Sequence, residues 1–265
     1  MSNPIDVFII AGQSNAVGEG KKDQSPKVSN GKVLQVYNGT ITDANDPVGN
    51  ARDGSAWPAF GNEYTAISRR TIAFIPTAVG GSGLSPYADL GTGHWAYLTF
   101  FGQIDLLGDS IMKTKEAMEL LSQSGYEPEL KGVLWSQGEN EAVNMTFGGN
   151  LTQEGYEQQL LAVIKRYREN LHADLPFYIF KTGTDTRLDQ KRNIMCPDHL
   201  GYAIVRAGQD HVAATTPHTK IIYANAHTFG ERGLLSDGLH YSQEGYNEMG
   251  RVGAQTLLTG FKTPN

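Results

Sequence analysis

The chain has 265 residues, 39% of them apolar, enough for one large α/β domain with a substantial core, and a single domain over 1–265 is expected. Its 22 basic and 28 acidic residues give a formal charge of -6 with no long Lys/Arg run, which argues against a nucleic-acid partner. The lone Cys196 cannot form an internal disulfide and stands in no CxxC or Cys/His grouping, so no structural metal is expected.

The opening stretch MSNPIDVFII has no basic region, and its apolar run is too short for a signal core or a membrane span. The chain is therefore expected to be soluble, without a membrane partner, and cytoplasmic by default. Short β-branched or aromatic runs bounded by turn formers predict strands at 5–10, 33–37, 71–77, 130–135, 177–181 and 219–223. Helical patterns lie between them at 59–69, 104–122, 200–214 and 243–258. The clearest sets Tyr156, Leu160, Leu161, Ile164, Tyr167 and Leu171 on one face at steps of three and four. Strands alternating with helices imply parallel pairing by right-handed crossovers, hence an α/β fold, a three-layer α/β/α sandwich with a mainly parallel central sheet.

Ligands bind such sheets beyond the carboxyl ends of the strands. Three polar clusters follow strands there: GQSNA around Ser14, AVGGSG at 78–83 and SQGENEA at 136–142. A fourth, SDGLHYSQEG at 236–245, precedes the last helix. A serine hydroxyl attacks only when a base takes its proton, and the base must be oriented by an acid. Asp237 and His240, three residues apart in a loop, suit that task. The order Ser, Asp, His is compatible with a hydrolase triad, although the nucleophile lies after the first strand rather than in a GxSxG elbow. Donors for an oxyanion are the backbone N–H of Ser14, the backbone N–H of Gly81 and the side-chain amide of Gln137. Gly80 and Gly81 let backbone approach a ligand closely.

GQSNA at 12–16, AVGGSG at 78–83, WSQGENEA at 135–142 and SDGLHYSQEGYNEMG at 236–250 together resemble the SGNH hydrolase superfamily. More narrowly, they resemble its sialate O-acetylesterase and family 6 carbohydrate esterase (acetyl xylan esterase-like) branch. The resemblance spans 5–258 in the right order. It implies an SGNH, flavodoxin-like hydrolase fold, with Ser14 as nucleophile, Asp237 and His240 as acid and base, and Gly81 and Gln137 in the oxyanion hole. It also implies Glu139 as a supporting acid. Asn140 and Glu141 depart from the small residue or aspartate often found there, and Ser82 and Pro86 or Tyr87 stand where threonine and tryptophan are usual.

Each site residue also has a plain structural reading. Ser14 is an ordinary turn residue, Asp237 part of an SDG turn and His240 a loop histidine, while Gln137 closes a strand and the paired glycines make a tight turn. Glu139 and Glu141 read as structural hydrogen-bonders or solvated carboxylates. Candidate substrate contacts are Gln13, Asn15, Gly80, Tyr87, His94 and Trp95. The last three, with Trp57, offer an aromatic platform for a sugar ring or else pack their loop onto the body. Trp135 reads as core, and His172, His199, His211, His218 and His227 as surface or helix residues.

The expected activity is a serine esterase that removes O-acetyl groups from a carbohydrate (sialic acid, xylan or a related glycan) through an acetyl-enzyme, needing no metal or organic cofactor. The alternatives are a non-catalytic carbohydrate-binding protein on the same fold and an esterase for short acyl or lipid substrates. The last would want an apolar channel, whereas these loops carry Gly, Asp, Asn, Thr and Tyr.

Overall fold

The computed structural model describes residues 3–100, 102–187 and 200–260. Cys196 and His199 lie outside the described residues. In chain order the elements are β1 (Pro4–Gly12), α1 (Ser14–Val17), β2 (Val33–Tyr37), β3 (Thr40–Asp43), α2 (Trp57–Ser68), β4 (Thr71–Pro76) and α3 (Leu106–Gln123). There follow β5 (Glu127–Ser136), α4 (Glu139–Thr146), α5 (Gln153–Asn170), β6 (Phe177–Phe180), α6 (Leu200–Thr215), β7 (Thr219–Tyr223) and α7 (Gln243–Thr259).

The strands form one seven-stranded sheet in the order β3-β2-β4-β1-β5-β6-β7. Every pairing is parallel except the β2–β3 hairpin. From β1 the chain crosses to β2 and β3 at one edge, returns to β4 beside β1, and then builds outward through β5, β6 and β7 on the other side. The strand order thus reverses beside β1, where such sheets hold their ligands. Register brings the site together: Ile10 pairs with Pro76 and Gly12 with Ser136, so β1, β4 and β5 end side by side.

β1 is buried along almost its whole length, as a central parallel strand must be. Phe8 and Ile10 join one core with Trp57, Phe60 and Tyr64 of α2 and Tyr246 and Met249 of α7. Ile9 belongs to a second core with Val133 and Trp135 of β5 and the inward faces of α3, α5 and α6. Helices therefore cover both faces, and the expected three layers are present. No described helix is long and apolar enough to cross a membrane.

Among the described residues four elements were not foreseen: α1, β3, α4 and a single 3-10 turn at Asn225–Thr228. The predicted face of α5 also needs correction. Val163 is turned inward beside Tyr156, Leu160, Ile164 and Tyr167, whereas Leu161 is 38% exposed. At 100° per residue, position 163 falls nearer the centre of the stripe set by 156, 160 and 167 than position 161 does.

Candidate active site

Ser14 opens α1 with one residue between it and the end of β1, and is 8% exposed. Its Oγ lies 3.0 Å from His240 Nε2, across 226 positions of chain. His240 Nδ1 lies 2.8 Å from Asp237 Oδ2. The other carboxylate oxygen, Oδ1, accepts the N–H groups of Leu239 and His240 at 2.9 and 2.8 Å. Partial burial pushes the Asp237 carboxyl up, but these bonds from backbone and ring outweigh it and bring the pKa down to about 2. Asp237 is therefore an anion at any working pH, and it holds the imidazole with Nε2 facing the serine.

The 236–240 loop is braced from both ends. Ser236 N–H donates to His240 O at 2.8 Å, and the Ser242 hydroxyl caps α7 by accepting Gly245 N–H at 3.2 Å. From the segment after β6, Thr186 donates both its N–H and its hydroxyl to Gly238 O, at 2.8 and 3.2 Å. Arg187 forks onto the buried Asp185 at 2.9 Å and keeps that segment in place. Nothing in the sequence marked Thr186, because its role depends on a loop 52 positions away.

Gly80 and Gly81 stand opposite the serine. A Cβ added to Gly80 would sit 3.9 Å from Ser14 Cβ, in open contact. Among the described residues neither the Ser14 N–H nor the Gly81 N–H donates a hydrogen bond within the protein. Ser14 N–H is unpaired because it begins a helix. Both amides are thus left for a ligand.

Four expected contacts are differently employed. Gln137 is fully buried, and its amide nitrogen donates to Glu141 Oε2 and faces Gln13 Oε1 at 3.4 Å. With those protons committed, its side chain has no donor to offer an oxyanion. The Gln13 carbonyl oxygen sits on the N-terminus of α4, accepting Gly138 and Glu139 N–H at 3.2 and 3.1 Å, with Asn140 N–H at 3.5 Å. Asn15 is 1% exposed; its amide donates to Glu139 Oε1 at 2.7 Å and its carbonyl accepts Tyr246 OH at 2.8 Å. Both residues lock the serine turn to neighbouring helices, which leaves their amides occupied. Glu139 is itself buried beneath this turn, its carboxyl pushed up by desolvation. It touches Asn15 and makes no hydrogen bond to His240.

The aromatic platform is not formed. Trp57, His94 and Trp95 are buried to within 1%. Trp57 Nε1 donates to Ala16 O at 2.8 Å, Trp95 Nε1 to Ser82 Oγ at 2.9 Å, and Trp95 stands edge-on to Trp135. His94 ties its own loop through Gln103 and Ala96. Their apolar area is worth more inside than on a rim. Tyr87 alone of the four remains open, 82% exposed.

The sequence reading left Asn140 without a task and gave Glu141 as a structural hydrogen-bonder or a solvated carboxylate; the first of these holds. Glu141 is fully buried and accepts Leu84 N–H at 2.6 Å, Ser85 N–H at 3.2 Å and Gln137 Nε2. Desolvation raises its pKa to about 7 against those bonds. Asn140 donates to Gly81 O at 2.8 Å and Ala88 O at 2.9 Å. The signal available was their departure from the family pattern within an otherwise matching block.

The mainly parallel seven-stranded sheet, with Ser14 just beyond the end of its central strand, is a fold shared with solved structures. The class follows from the family match: a carboxylic ester hydrolase. The family model described as carbohydrate esterase, sialic acid-specific acetylesterase, matches residues 4–259, and the chain belongs to that family. Among solved structures it is similar to a protein from Arabidopsis thaliana, at 21% identity over 98% of this chain and 100% of that one, with a TM-score of 0.71. A carbohydrate acetylesterase from Xanthomonas citri is 17% identical over 97% of this chain and 57% of its own length, with a TM-score of 0.58. NanS is 12% identical over 98% of each chain, with a TM-score of 0.59. At these identities the likeness is one of fold. No curated protein matches the chain in sequence.

Proposed function

We propose that the protein is a serine esterase that removes O-acetyl groups from a carbohydrate through an acetyl-enzyme. Ser14 Oγ attacks the acetyl carbonyl carbon while His240 Nε2 takes the hydroxyl proton. The carbonyl oxygen becomes an oxyanion, held by the N–H groups of Ser14 and Gly81. Asp237 orients the ring and stabilises the imidazolium. Collapse of the tetrahedral adduct breaks the bond to the sugar oxygen, which leaves with the proton from His240. A water then gives its proton to His240 and attacks the acetyl carbon, and acetate departs as Ser14 recovers its hydrogen.

The observation that supports this above all others is the run of contacts from Ser14 Oγ to His240 at 3.0 Å and from His240 to Asp237 at 2.8 Å. The loop beside Ser14 carries the paired glycines and the exposed Tyr87 and Thr92, which suits a hydroxyl-rich ligand more than a lipid chain. Ser14→Ala is expected to abolish acetate release from acetylated sugars and from a small acetyl ester, while circular dichroism and the unfolding midpoint stay unchanged. Turnover persisting in that folded variant would remove Ser14 from the reaction. Screening acetylated sialic acids, xylan fragments and other glycans for released acetate identifies the sugar.

A further inference from the structure

Resting on the esterase reading above, we propose that Asn140 is a positioning residue of the oxyanion hole: its side-chain amide fixes the Gly81 segment relative to the Ser14 turn. The two amides that hold the oxyanion belong to separate stretches of chain, one beginning α1 and one in the loop after β4. Donors of this kind act only when held to within about 0.5 Å of the productive geometry. Gly81 is poorly suited to hold itself, since it has no side chain and adopts φ +75°.

Asn140 supplies what Gly81 lacks. An asparagine amide has two N–H donors. Here one goes to Gly81 O at 2.8 Å and the other to Ala88 O at 2.9 Å, so both are spent on the loop. Gly81 O also accepts Leu90 N–H at 3.3 Å, which closes the loop back on the same carbonyl. On its other side Asn140 Oδ1 faces Gln13 Nε2 at 3.5 Å, and Gln13 Oε1 sits on the first N–H groups of α4. One side chain thus spans from the residue before Ser14 to the carbonyl of Gly81. With no donor left over, Asn140 is not equipped to hold the substrate itself.

The fold does not hang on this contact. The root of the loop is tied independently by Val79 N–H to Gly12 O at 3.0 Å, and farther on by Glu141 to Leu84 and Ser85. Removing the amide therefore frees Gly81 between two anchored points and releases Ala88 just beyond the second. Asn140→Leu keeps the volume and deletes both donors. Asn140→Asp keeps the shape but sets a carboxylate against two carbonyl oxygens. Asn140→Ser, with one short donor, is the milder change.

The test compares these variants with wild type on a small acetyl ester and on the acetylated sugar. Folding is followed by unfolding midpoint, and Ser14 reactivity by the rate of labelling with a fluorophosphonate. For Asn140→Leu and Asn140→Asp, kcat is expected to fall about 10- to 100-fold with KM within about threefold, and labelling to slow in parallel, as for a weakened oxyanion donor. Asn140→Ser should lie between. The ratio of Asn140→Asp to wild-type kcat should rise toward acid, where its carboxyl regains an O–H donor, while the Asn140→Leu ratio stays flat. A folded Asn140→Ser and Asn140→Leu pair with kcat within twofold of wild type, or a raised KM at unchanged kcat, would overturn the proposal while leaving the esterase reading intact. Full activity in Ser14→Ala would instead remove the reading on which it rests.

Discussion

Two segments flank Ser14, the 236–240 loop and the first turn of α4, and each contributes a carboxylate that accepts three hydrogen bonds. Asp237 accepts from Leu239 N–H, His240 N–H and the His240 ring. Glu141 accepts from Leu84 N–H, Ser85 N–H and the Gln137 amide. Yet burial is outweighed at Asp237, which settles at about 2, and prevails at Glu141, which rises to about 7. The Asp237 side chain is 49% exposed, whereas Glu141 is wholly buried. One of the donors to Asp237 is also able to become a cation, and none of those to Glu141 is. A count of donors does not set ionisation; water and a chargeable partner do. One carboxylate faces a charge that develops during the proposed reaction, and the other joins two pieces of chain.

The contrast is broken most sharply by Asp237→Asn, which should lower kcat by about 10³- to 10⁴-fold through loss of ring orientation. Its unfolding midpoint should move little, because the group is half in water. Acetate release and urea unfolding measure the two, and a near-wild-type kcat would erase the distinction. Glu141→Ala should do the reverse in character, stranding three buried N–H donors at about 1–3 kcal/mol each. A loss of about 3 kcal/mol or more in urea is expected, and one below about 1 kcal/mol would show the carboxylate to be dispensable.

Next in size is the pH dependence. A carboxyl raised from 4.5 to about 7 in the folded chain contributes stability that is fully present below 4.5 and lost as pH rises through about 7. The loss is on the order of 3 kcal/mol. Asp237 has the opposite sign, its contribution present above 3.8 and lost as pH falls through about 2. Urea midpoints at pH 5, 6, 7 and 8 should therefore decline in wild type and flatten in Glu141→Gln. The Gln137 carbonyl oxygen, buried without a partner, is free to turn and accept from the new amide. An unchanged slope in Glu141→Gln would assign the decline to another group. Smallest is Tyr87→Ala on the exposed rim. It should leave stability within about 0.5 kcal/mol, raise KM severalfold on the acetylated glycan, and leave KM for a small acetyl ester unchanged. Equal effects on both substrates would deny Tyr87 a sugar contact.

Much of this was legible in the chain itself. The six predicted strands match β1, β2, β4, β5, β6 and β7, because a doubly covered sheet demands continuous apolar runs that stand out from their surroundings. β3 escaped notice, being four half-exposed residues, although Asn38-Gly39 announced its hairpin; both adopt positive φ, at 48° and 71°. The pairing of Asp237 with His240 was readable from spacing alone, since three residues of loop bring carboxylate and ring together. Gln137 was misjudged because its amide is chemically right for an oxyanion. What withdraws it is Glu141, one helical turn along, in a helix that the polar sequence did not suggest.

The sequence by itself determined which residue types lie at the strand tips, and therefore the class of chemistry, because local patterning and short-range spacing are carried by neighbours along the chain. Only the tertiary structure decided which polar groups remain free for a ligand. Among the described residues Ser14 N–H and Gly81 N–H stay unpaired, while the amides of Gln13, Asn15, Asn140 and Gln137 are consumed by contacts spanning dozens to hundreds of positions. A buried donor must find some acceptor, and which one it meets depends on strand order and register, not on the residues beside it.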